Sequence, residues 1–553
     1  MARLRMDRWA WLLLAIIGLA LCLRLATIGF GLPAMNDPDE LMFELGALRM
    51  LRGPTLNPGW FGHPATTTMY VLAVVDALVF LFAFLTGQTA SPTQFGGMVY
   101  ADPSWIIVPG RIVMVLFALG TIWLTHALAR RFFGQRAALV AALLLALNPV
   151  HITWSQIIRS DMMACLFMLL CLRSATAIAT EGRWRDYMLA AVWVGLAIAT
   201  KWPFALSAIA IVAATAVAAR AGVLPLTTAI RRLVAAGAAA IATLCLTSPY
   251  LLIDYPTVMK NLRGEGQIHH LGSTGGSFVQ NLLWYLDGPF LAGYGIAGLA
   301  LIVVGALQLH RNRVALAILA PVALAFLLLF CAQQLVWERW ALPLMPIGAI
   351  VAAWGLMRLL AFARMLDRPA IARFAPLVLL LAVTLPLGAR VWADGRARMN
   401  DTRQQASAWA WRHIPPGSRI LIEHNAFDMV VDRWHLWFPM GNAGCVDVVA
   451  LIHGKASYSV IEQARGARAN VDFGTMAADR RAECRPDFAV LTQFDRYRLE
   501  RDRFPAEFRA YMSLVARGSI AATFGPVPGR IGGPIVRILD LRPGARQARR
   551  NRH

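Results

Sequence analysis

WAWLLLAIIGLALCLRLATIGF, residues 9–30, is an apolar run long enough to cross a lipid bilayer as a helix. Similar runs recur along the chain, for example at 105–128 and 315–332. Of the 553 residues, 58% are hydrophobic and 15% are charged, whereas soluble domains average about 25% charged residues. The sequence therefore predicts a polytopic α-helical membrane protein.

The net charge of +22 would by itself be typical of a nucleic-acid-binding protein. Many of the basic residues, however, fall in short clusters between the apolar runs, where Arg and Lys retain loops in the cytoplasm. We interpret the Arg-rich stretch 542–553 as a disordered tail or a contact with anionic lipid head groups. Membrane lipids are therefore expected partners, and nucleic acid is not.

The basic clusters also predict the topology, because two spans must separate successive cytoplasmic loops. Three apolar runs, 9–30, 66–85 and 105–128, lie between the first two clusters, which is one too many. We assign Thr66–Leu85 as a helix lying along or dipping into the outer face, because it contains Asp76. A full crossing is the alternative. The prediction is about eleven spans in the bacterial inner membrane, with a cytoplasmic N-terminus.

The pattern changes near residue 393. A helix is predicted at 401–413, and short strands are predicted at 419–423, 488–491 and 534–539. We therefore divide the chain into a transmembrane domain, 1–392, whose first outer loop is 31–104, and a small periplasmic α/β domain, 393–553.

The C-terminal domain contains two cysteines, Cys445 and Cys484. Because the periplasm is oxidising, we predict that they form a disulfide. Two unpaired thiols are the alternative.

The first outer loop carries three carboxylates within four residues, Asp37, Asp39 and Glu40. Asp37 alone could be a helix cap, but charge at a membrane boundary is costly unless it is used or paired. An inverting sugar transfer needs a carboxylate that deprotonates the acceptor hydroxyl. These acids are therefore candidates for a catalytic site.

The order of motifs resembles the membrane-embedded glycosyltransferases of family 39, which include protein O-mannosyltransferases and lipid A aminoarabinose transferases. The matching features span roughly residues 9–360 and are, in chain order, Asp39-Glu40, His63-Pro64, Arg111, Ser155 with Asp161, Lys201-Trp202, and Arg339-Trp340 with Pro343. The resemblance implies a GT-C-like fold and transfer of a sugar from a polyprenyl-phosphate-linked donor. Ala65 and Gln156 depart from the family pattern, and both departures disfavour a protein acceptor.

The resemblance also implies residue roles. Asp39 would be the catalytic base, Glu40 would orient it or the acceptor, and Asp161 would complete the acidic site. Positive charge must neutralise the departing phosphate, and the candidates are Lys201, Arg111 and Arg339. The candidate substrate contacts are Asp37, His63, His269 and His270.

Several of these residues also have a purely structural interpretation. Lys201 could extend to the interface from a span end, and Arg339 could pair with Glu338. The remaining alternatives are an interface anchor for Arg111, a helix cap for Asp161 and a turn residue for His63.

The resemblance implies no organic cofactor and no obligatory metal, and involvement of a divalent cation stays open. The sugar also stays open, as does the acceptor, which is a lipid, a polysaccharide or a protein. The alternative functions are a membrane transporter and a scaffold or sensor that uses the periplasmic domain. A transporter would carry charges at mid-span or helices broken at matching places in two halves, and a scaffold leaves the first-loop acids unexplained.

Overall fold

The computed structural model describes residues 7–53, 55–266, 268–365, 368–423, 428–465 and 471–543. Within these ranges ten helices are long and apolar enough to cross a membrane, and a pair bent by 60°, Gln135–Ala146 with Pro149–Ser155, raises the number to eleven. The ten are Arg8–Leu25, Thr66–Leu85, Ser104–Phe133, Ser160–Glu181, Trp202–Arg220, Leu226–Thr247, Phe278–Leu307, Arg313–Ala332, Leu344–Met365 and Arg373–Met399. The chain is a multi-span helical membrane protein, as predicted.

With the bent pair counted as one span, the number of candidate spans agrees with the predicted eleven. The individual helices, however, are not all the predicted ones. The apolar run at 187–202 also predicts a span, but the helix there, Trp184–Thr200, has 17 residues and is shorter than the helices counted above. Thr66–Leu85 is a continuous 20-residue helix that meets the criteria of length and composition. Whether it crosses the bilayer or lies along the outer face stays a prediction.

Shorter helices connect the spans and complete the C-terminal domain. Those among the spans are Pro38–Arg52, Pro92–Ala101, Tyr250–Ile253, Tyr255–Glu265 and the short turns Leu309–Arg311 and Glu338–Ala341. Those in the C-terminal domain are Thr402–His413, Gly441–Ala443, Val448–Ile452, Tyr458–Ala464, Ala478–Glu483, Phe494–Leu499 and Pro505–Val515.

The C-terminal domain is built on one six-stranded sheet. In chain order its strands are β1 (Arg419–Ile422), β2 (His435–Pro439), β3 (Cys445–Asp447), β4 (Phe488–Leu491), β5 (Ser519–Phe524) and β6 (Val536–Asp540). The spatial order is β3-β2-β1-β4-β6-β5, with β1 parallel to β2 and β4, and the other pairs antiparallel. The predicted small α/β domain is therefore confirmed, including the strands near 419, 488 and 536.

The domain boundary predicted at residues 392 and 393 falls within a helix and stays a prediction. The last membrane-length helix continues past residue 392 to Met399, and Asp401 then caps the next helix by accepting a hydrogen bond from the Arg403 amide at 2.9 Å. The predicted tail lies mostly outside the described residues, which end at 543.

The predicted disulfide is present between Cys445 and Cys484, whose Cα atoms lie 5.7 Å apart. It joins β3 to the segment directly before β4. The bridge therefore connects an edge strand to the centre of the sheet.

Candidate active site

The helix Pro38–Arg52 holds the first-loop acids at its N-terminal end. Asp37 is the N-cap, and its Oδ1 accepts a hydrogen bond from the Asp39 amide at 3.1 Å. Pro38 occupies the first turn, where its missing N–H costs nothing. The helix dipole favours the carboxylates of Asp39 and Glu40 in this turn. Asp37 is thus a cap as well as a member of the acidic cluster.

Arg159 joins two of these acids to the start of the helix Ser160–Glu181. Its Nη2 lies 2.6 Å from Asp39 Oδ2 and 3.0 Å from Asp37 Oδ1. Nε and Nη1 of the same guanidinium are buried and have no hydrogen-bond partner. Arg159 was not among the residues predicted from the sequence. Its position two residues before Asp161, in a loop predicted to be outside, was a signal that could have identified it.

Glu40 and Arg111 form a fully buried ion pair. Arg111 donates from Nε at 2.8 Å and from Nη2 at 2.6 Å to the two carboxylate oxygens, and the Ile158 amide donates to Glu40 at 3.0 Å. Arg111 Nη1 also donates to the carbonyls of Ile28 and Phe30. Arg111 is therefore paired with Glu40 and with backbone carbonyls, and its role at a phosphate stays a prediction. For Glu40 this pairing is compatible with the predicted role of orienting Asp39. Glu40 fixes the helix that carries Asp39.

Asp161 and Lys201 form a second buried ion pair, in which Lys201 Nζ donates to Asp161 Oδ1. Lys201 does not extend to an interface as the structural alternative proposed. Its backbone pairs with Pro64, and the Trp202 amide donates to the His63 carbonyl at 2.7 Å. Asp161 Oδ2 is buried without a partner. These contacts bring the His63-Pro64 and Lys201-Trp202 motifs together.

His63 lies inside this assembly and not in an exposed turn. Its ring packs against those of Trp60 and Phe43, with centroids 5.1 Å and 5.9 Å away. Burial lowers the pKa of His63 well below its ordinary value, and the charge of Lys201 lowers it further. The ring is therefore neutral at physiological pH.

Arg339 lies in the turn Glu338–Ala341 and is buried. No carboxylate in the described chain lies within ion-pair distance of it; its guanidinium stands over the Trp337 ring, 4.4 Å from the centroid. Glu338 instead accepts a hydrogen bond from Trp154 Nε1 at 2.9 Å, so the local ion pair considered above does not form. Burial and the charge of Arg159 lower the pKa of Arg339 to about 10, and it remains protonated.

The two adjacent histidines of the later outer loop are placed differently. The ring of His270 packs on Trp337 at 4.9 Å, and Asp39 and Arg339 are close enough to act on it electrostatically. His269 is exposed, and no contact joins it to the cluster. Glu265 was not predicted, yet its carboxylate lies against Gly62, within electrostatic range of Asp39 and Arg339. Across the described residues no three His, Cys, Asp or Glu side chains are grouped as metal ligands.

Asp39 is the accessible carboxylate of the cluster. Its side chain is 40% exposed, against 17% for Asp37, 3% for Asp161 and 0% for Glu40. Partial burial acts to raise the pKa of Asp39, but the guanidinium groups of Arg159 and Arg339 outweigh it and hold the pKa below its ordinary value. Asp39 is therefore ionised and within reach of a ligand.

A cleft of about 350 Å³ opens beside Asp37, between the membrane domain and the C-terminal domain. Its lining includes Asn36, Arg398, Asp401 and Gly532. Arg403 donates to the Asn36 carbonyl at 2.8 Å, so the C-terminal domain directly contacts the loop that precedes the acids.

Residues 103–253, which contain Arg111, Arg159, Asp161 and Lys201, match the family model of the dolichyl-phosphate-mannose-protein mannosyltransferases. The resemblance inferred from the motifs is confirmed. No curated protein matches the chain in sequence at a significant level.

Three solved structures are similar to the whole chain. ArnT from Cupriavidus metallidurans bound to undecaprenyl phosphate aligns over 98% of this chain and 99% of its own, with 14% identity and a TM-score of 0.49. The apo form aligns over 97% and 98%, with 15% identity and a TM-score of 0.48. The apo oligosaccharyltransferase of Archaeoglobus fulgidus aligns over 92% and 72%, with 14% identity and a TM-score of 0.48. Because these identities are low, no residue role is carried over from them.

Proposed function

We propose that this chain is an inverting glycosyltransferase that moves a sugar from a polyprenyl-phosphate carrier to an acceptor hydroxyl at the outer face of the inner membrane. The main support for this proposal is the environment of the Asp39 side chain. It is an accessible, ionised carboxylate, and it shares its cluster with three cations, Arg159, Lys201 and Arg339. A base and fixed positive charge are what this reaction requires.

Asp39 would act as the general base. The acceptor oxygen attacks the anomeric carbon, its proton passes to an Asp39 carboxylate oxygen, and the bond from the anomeric carbon to the phosphate oxygen breaks. The electron pair of that bond leaves with the polyprenyl phosphate, which gains negative charge. Because attack and departure occur on opposite faces of the sugar, the configuration at the anomeric carbon inverts.

Arg339 is the best candidate for binding the departing phosphate, because among the three cations of the cluster it is the one without a carboxylate ion pair in the described chain. Arg159 offers two further unpartnered nitrogens, Nε and Nη1, and an arginine fork suits phosphate geometry. Lys201 is already paired with Asp161 and would contribute positive charge to the site while it stays in that pair. Substrate contacts by Asp37, His63 and His270 remain part of the proposal, and His269 has the weakest support.

The sugar, hexose or pentose, is left open by this site, and so is the acceptor. The departures at Ala65 and Gln156 favour a lipid or a polysaccharide acceptor over a protein. The positions of the basic clusters support a cytoplasmic N-terminus and a periplasmic C-terminal domain.

The test is to add the purified protein and labelled polyprenyl-phosphate sugars to membranes of a deletion strain. Mass spectrometry of glycolipids, polysaccharides and secreted proteins then identifies the product. We expect Asp39→Asn to lower turnover by about 10²–10⁴-fold, the usual contribution of a general base. Asp102→Asn removes an exposed acid from the same loop and is the matched control. Near-normal turnover by folded Asp39→Asn would refute the role of Asp39.

A further inference from the structure

Glu44 and Asp76 form a buried pair of carboxyl groups next to the site. Glu44 lies on the helix Pro38–Arg52, one turn after Glu40, and is 0% exposed. Asp76 lies in the middle of Thr66–Leu85 and is 1% exposed. Each carboxyl group acts electrostatically on the other, and no donor in the described chain satisfies either of them. Neither residue has a role in the proposed transfer.

Nothing in the described chain compensates two negative charges at this place. None of the four carboxyl oxygens accepts a hydrogen bond from a protein donor. Phe43, Met69 and Leu72, which lie on the same two helices, belong to one buried apolar cluster. Each carboxyl thus has the other as its polar neighbour.

The charged groups on the surrounding helices do not alter this balance. Glu40 acts on Glu44 but is neutralised by Arg111 from the helix Ser104–Phe133. The helices Pro92–Ala101 and Trp184–Thr200 also pack on Thr66–Leu85. Neither brings a charged side chain that acts on Glu44 or Asp76.

Two carboxylates in contact cannot both ionise in apolar surroundings, because each loses its hydration and repels the other. Burial raises the pKa of Glu44 well above its ordinary value, and Asp76 raises it further. One proton resolves the conflict, since the protonated acid donates a hydrogen bond to the remaining carboxylate. The titration then belongs to the pair and not to either residue.

We propose that Glu44 and Asp76 bind one proton between them, and that the resulting acid–carboxylate hydrogen bond holds Thr66–Leu85 against the helix that carries Asp39. Removal of this proton leaves two charges facing each other and drives the helices apart. The pair is therefore a positioning device for Asp39. This role of the Glu44–Asp76 pair does not depend on which substrate the site binds.

Infrared difference spectroscopy of the purified protein tests the shared proton. The wild-type spectrum minus that of Asp76→Asn or Glu44→Gln, recorded at neutral pH, should contain the carbonyl band of a protonated carboxylic acid. Glu483→Gln removes an exposed carboxylate paired with Arg480 and should lack that band. Difference spectra of both variants with carboxylate bands alone would overturn the proposal.

Thermal unfolding against pH tests whether the shared proton stabilises the packing of Thr66–Leu85 against the helix that carries Asp39. Because the proton is bound more tightly in the folded state, its stabilisation is lost as pH rises through the titration of the pair. The melting temperature of the wild type should therefore fall as pH rises from the ordinary titration range of carboxyl groups through the raised titration of the pair. Asp76→Asn should lack this fall, since the amide N–H donates to Glu44 without titrating. An equal fall in both proteins would contradict the proposal, and neither readout depends on sugar transfer.

Discussion

Arg159 Nη2 lies 2.6 Å from Asp39 Oδ2, although the two residues are 120 positions apart and belong to different segments of the membrane domain. The same nitrogen contacts Asp37 at 3.0 Å. The guanidinium thus holds the accessible carboxylate ionised and joins the first loop to the helix Ser160–Glu181. The electrostatic state of the proposed base depends on this one contact more than on any other ion pair.

Arg159→Gln should move the acid limb of the kcat/KM profile to higher pH. Arg159 and Arg339 hold the pKa of Asp39 below its ordinary value, against the effect of burial. Without Arg159 the effect of burial gains weight, the pKa rises, and Asp39 is protonated at higher pH. The measurement is kcat/KM against pH, with Arg131→Gln, a surface pair with Glu181, as control. If the acid limb of the profile is not shifted in folded Arg159→Gln, then Asp39 is not the group whose titration produces that limb.

Arg339→Met should lower turnover without loss of folding stability. The side chain is a buried cation with no carboxylate partner in the described chain, so its removal leaves no opposite charge unpaired. Loss of a fixed charge at the departing phosphate typically costs about 10²–10³-fold in kcat. Lys455→Met, at an exposed position of the C-terminal domain, is the control. If Arg339→Met unfolds the protein instead, the residue is structural.

Glu40→Gln should destabilise the protein by about 3–5 kcal/mol, because it leaves the buried Arg111 charge uncompensated. The ion pair is fully buried at 2.6 Å. Arg131→Gln breaks the exposed pair with Glu181 and should cost about 1 kcal/mol or less. Thermal unfolding in detergent compares the two variants. If the two variants lose equally little stability, the Glu40–Arg111 pair is not structurally important, and a direct role of Glu40 at the substrate is favoured.

Breaking the disulfide should destabilise the C-terminal domain by about 3–4 kcal/mol, the range expected for a closed loop of this size. The two cysteines are 39 positions apart in the sequence. Cys445→Ser/Cys484→Ser should unfold at lower temperature, and added reductant should have no further effect on it. Cys22→Ser, at an exposed free cysteine, is the control. Recovery of both 445 and 484 as free thiols from untreated protein would contradict the bridge.

Cysteine labelling distinguishes the two topologies of Thr66–Leu85. Gly87 and Gly134 have φ of 74° and 85°, so the adjacent Gln88 and Gln135 are the better positions for a cysteine. If the helix does not cross, Gln88→Cys reacts with an impermeant thiol reagent from outside intact spheroplasts and Gln135→Cys does not. The reverse pattern would mean that Thr66–Leu85 crosses.

Much of the architecture follows from local sequence. Apolar length predicted most of the spans, and short apolar runs flanked by turn residues predicted β1, β4 and β6. The Asp39-Glu40 motif at a membrane boundary predicted where the acids cluster, and compartment chemistry predicted the disulfide. These features are local because bilayer thickness, strand periodicity and helix capping each act over a few to about twenty residues.

The partners of the charged side chains were decided by tertiary structure alone. Arg111 meets Glu40 across 71 positions, and Arg159 meets Asp37 across 122. The sequence placed Arg111 among the phosphate ligands and did not single out Arg159, and it contained no sign that Glu44 would face Asp76. A buried charge takes whichever opposite charge, donor or proton the packed helices bring within about 3 Å. That choice depends on the relative positions of whole helices, which no local pattern encodes.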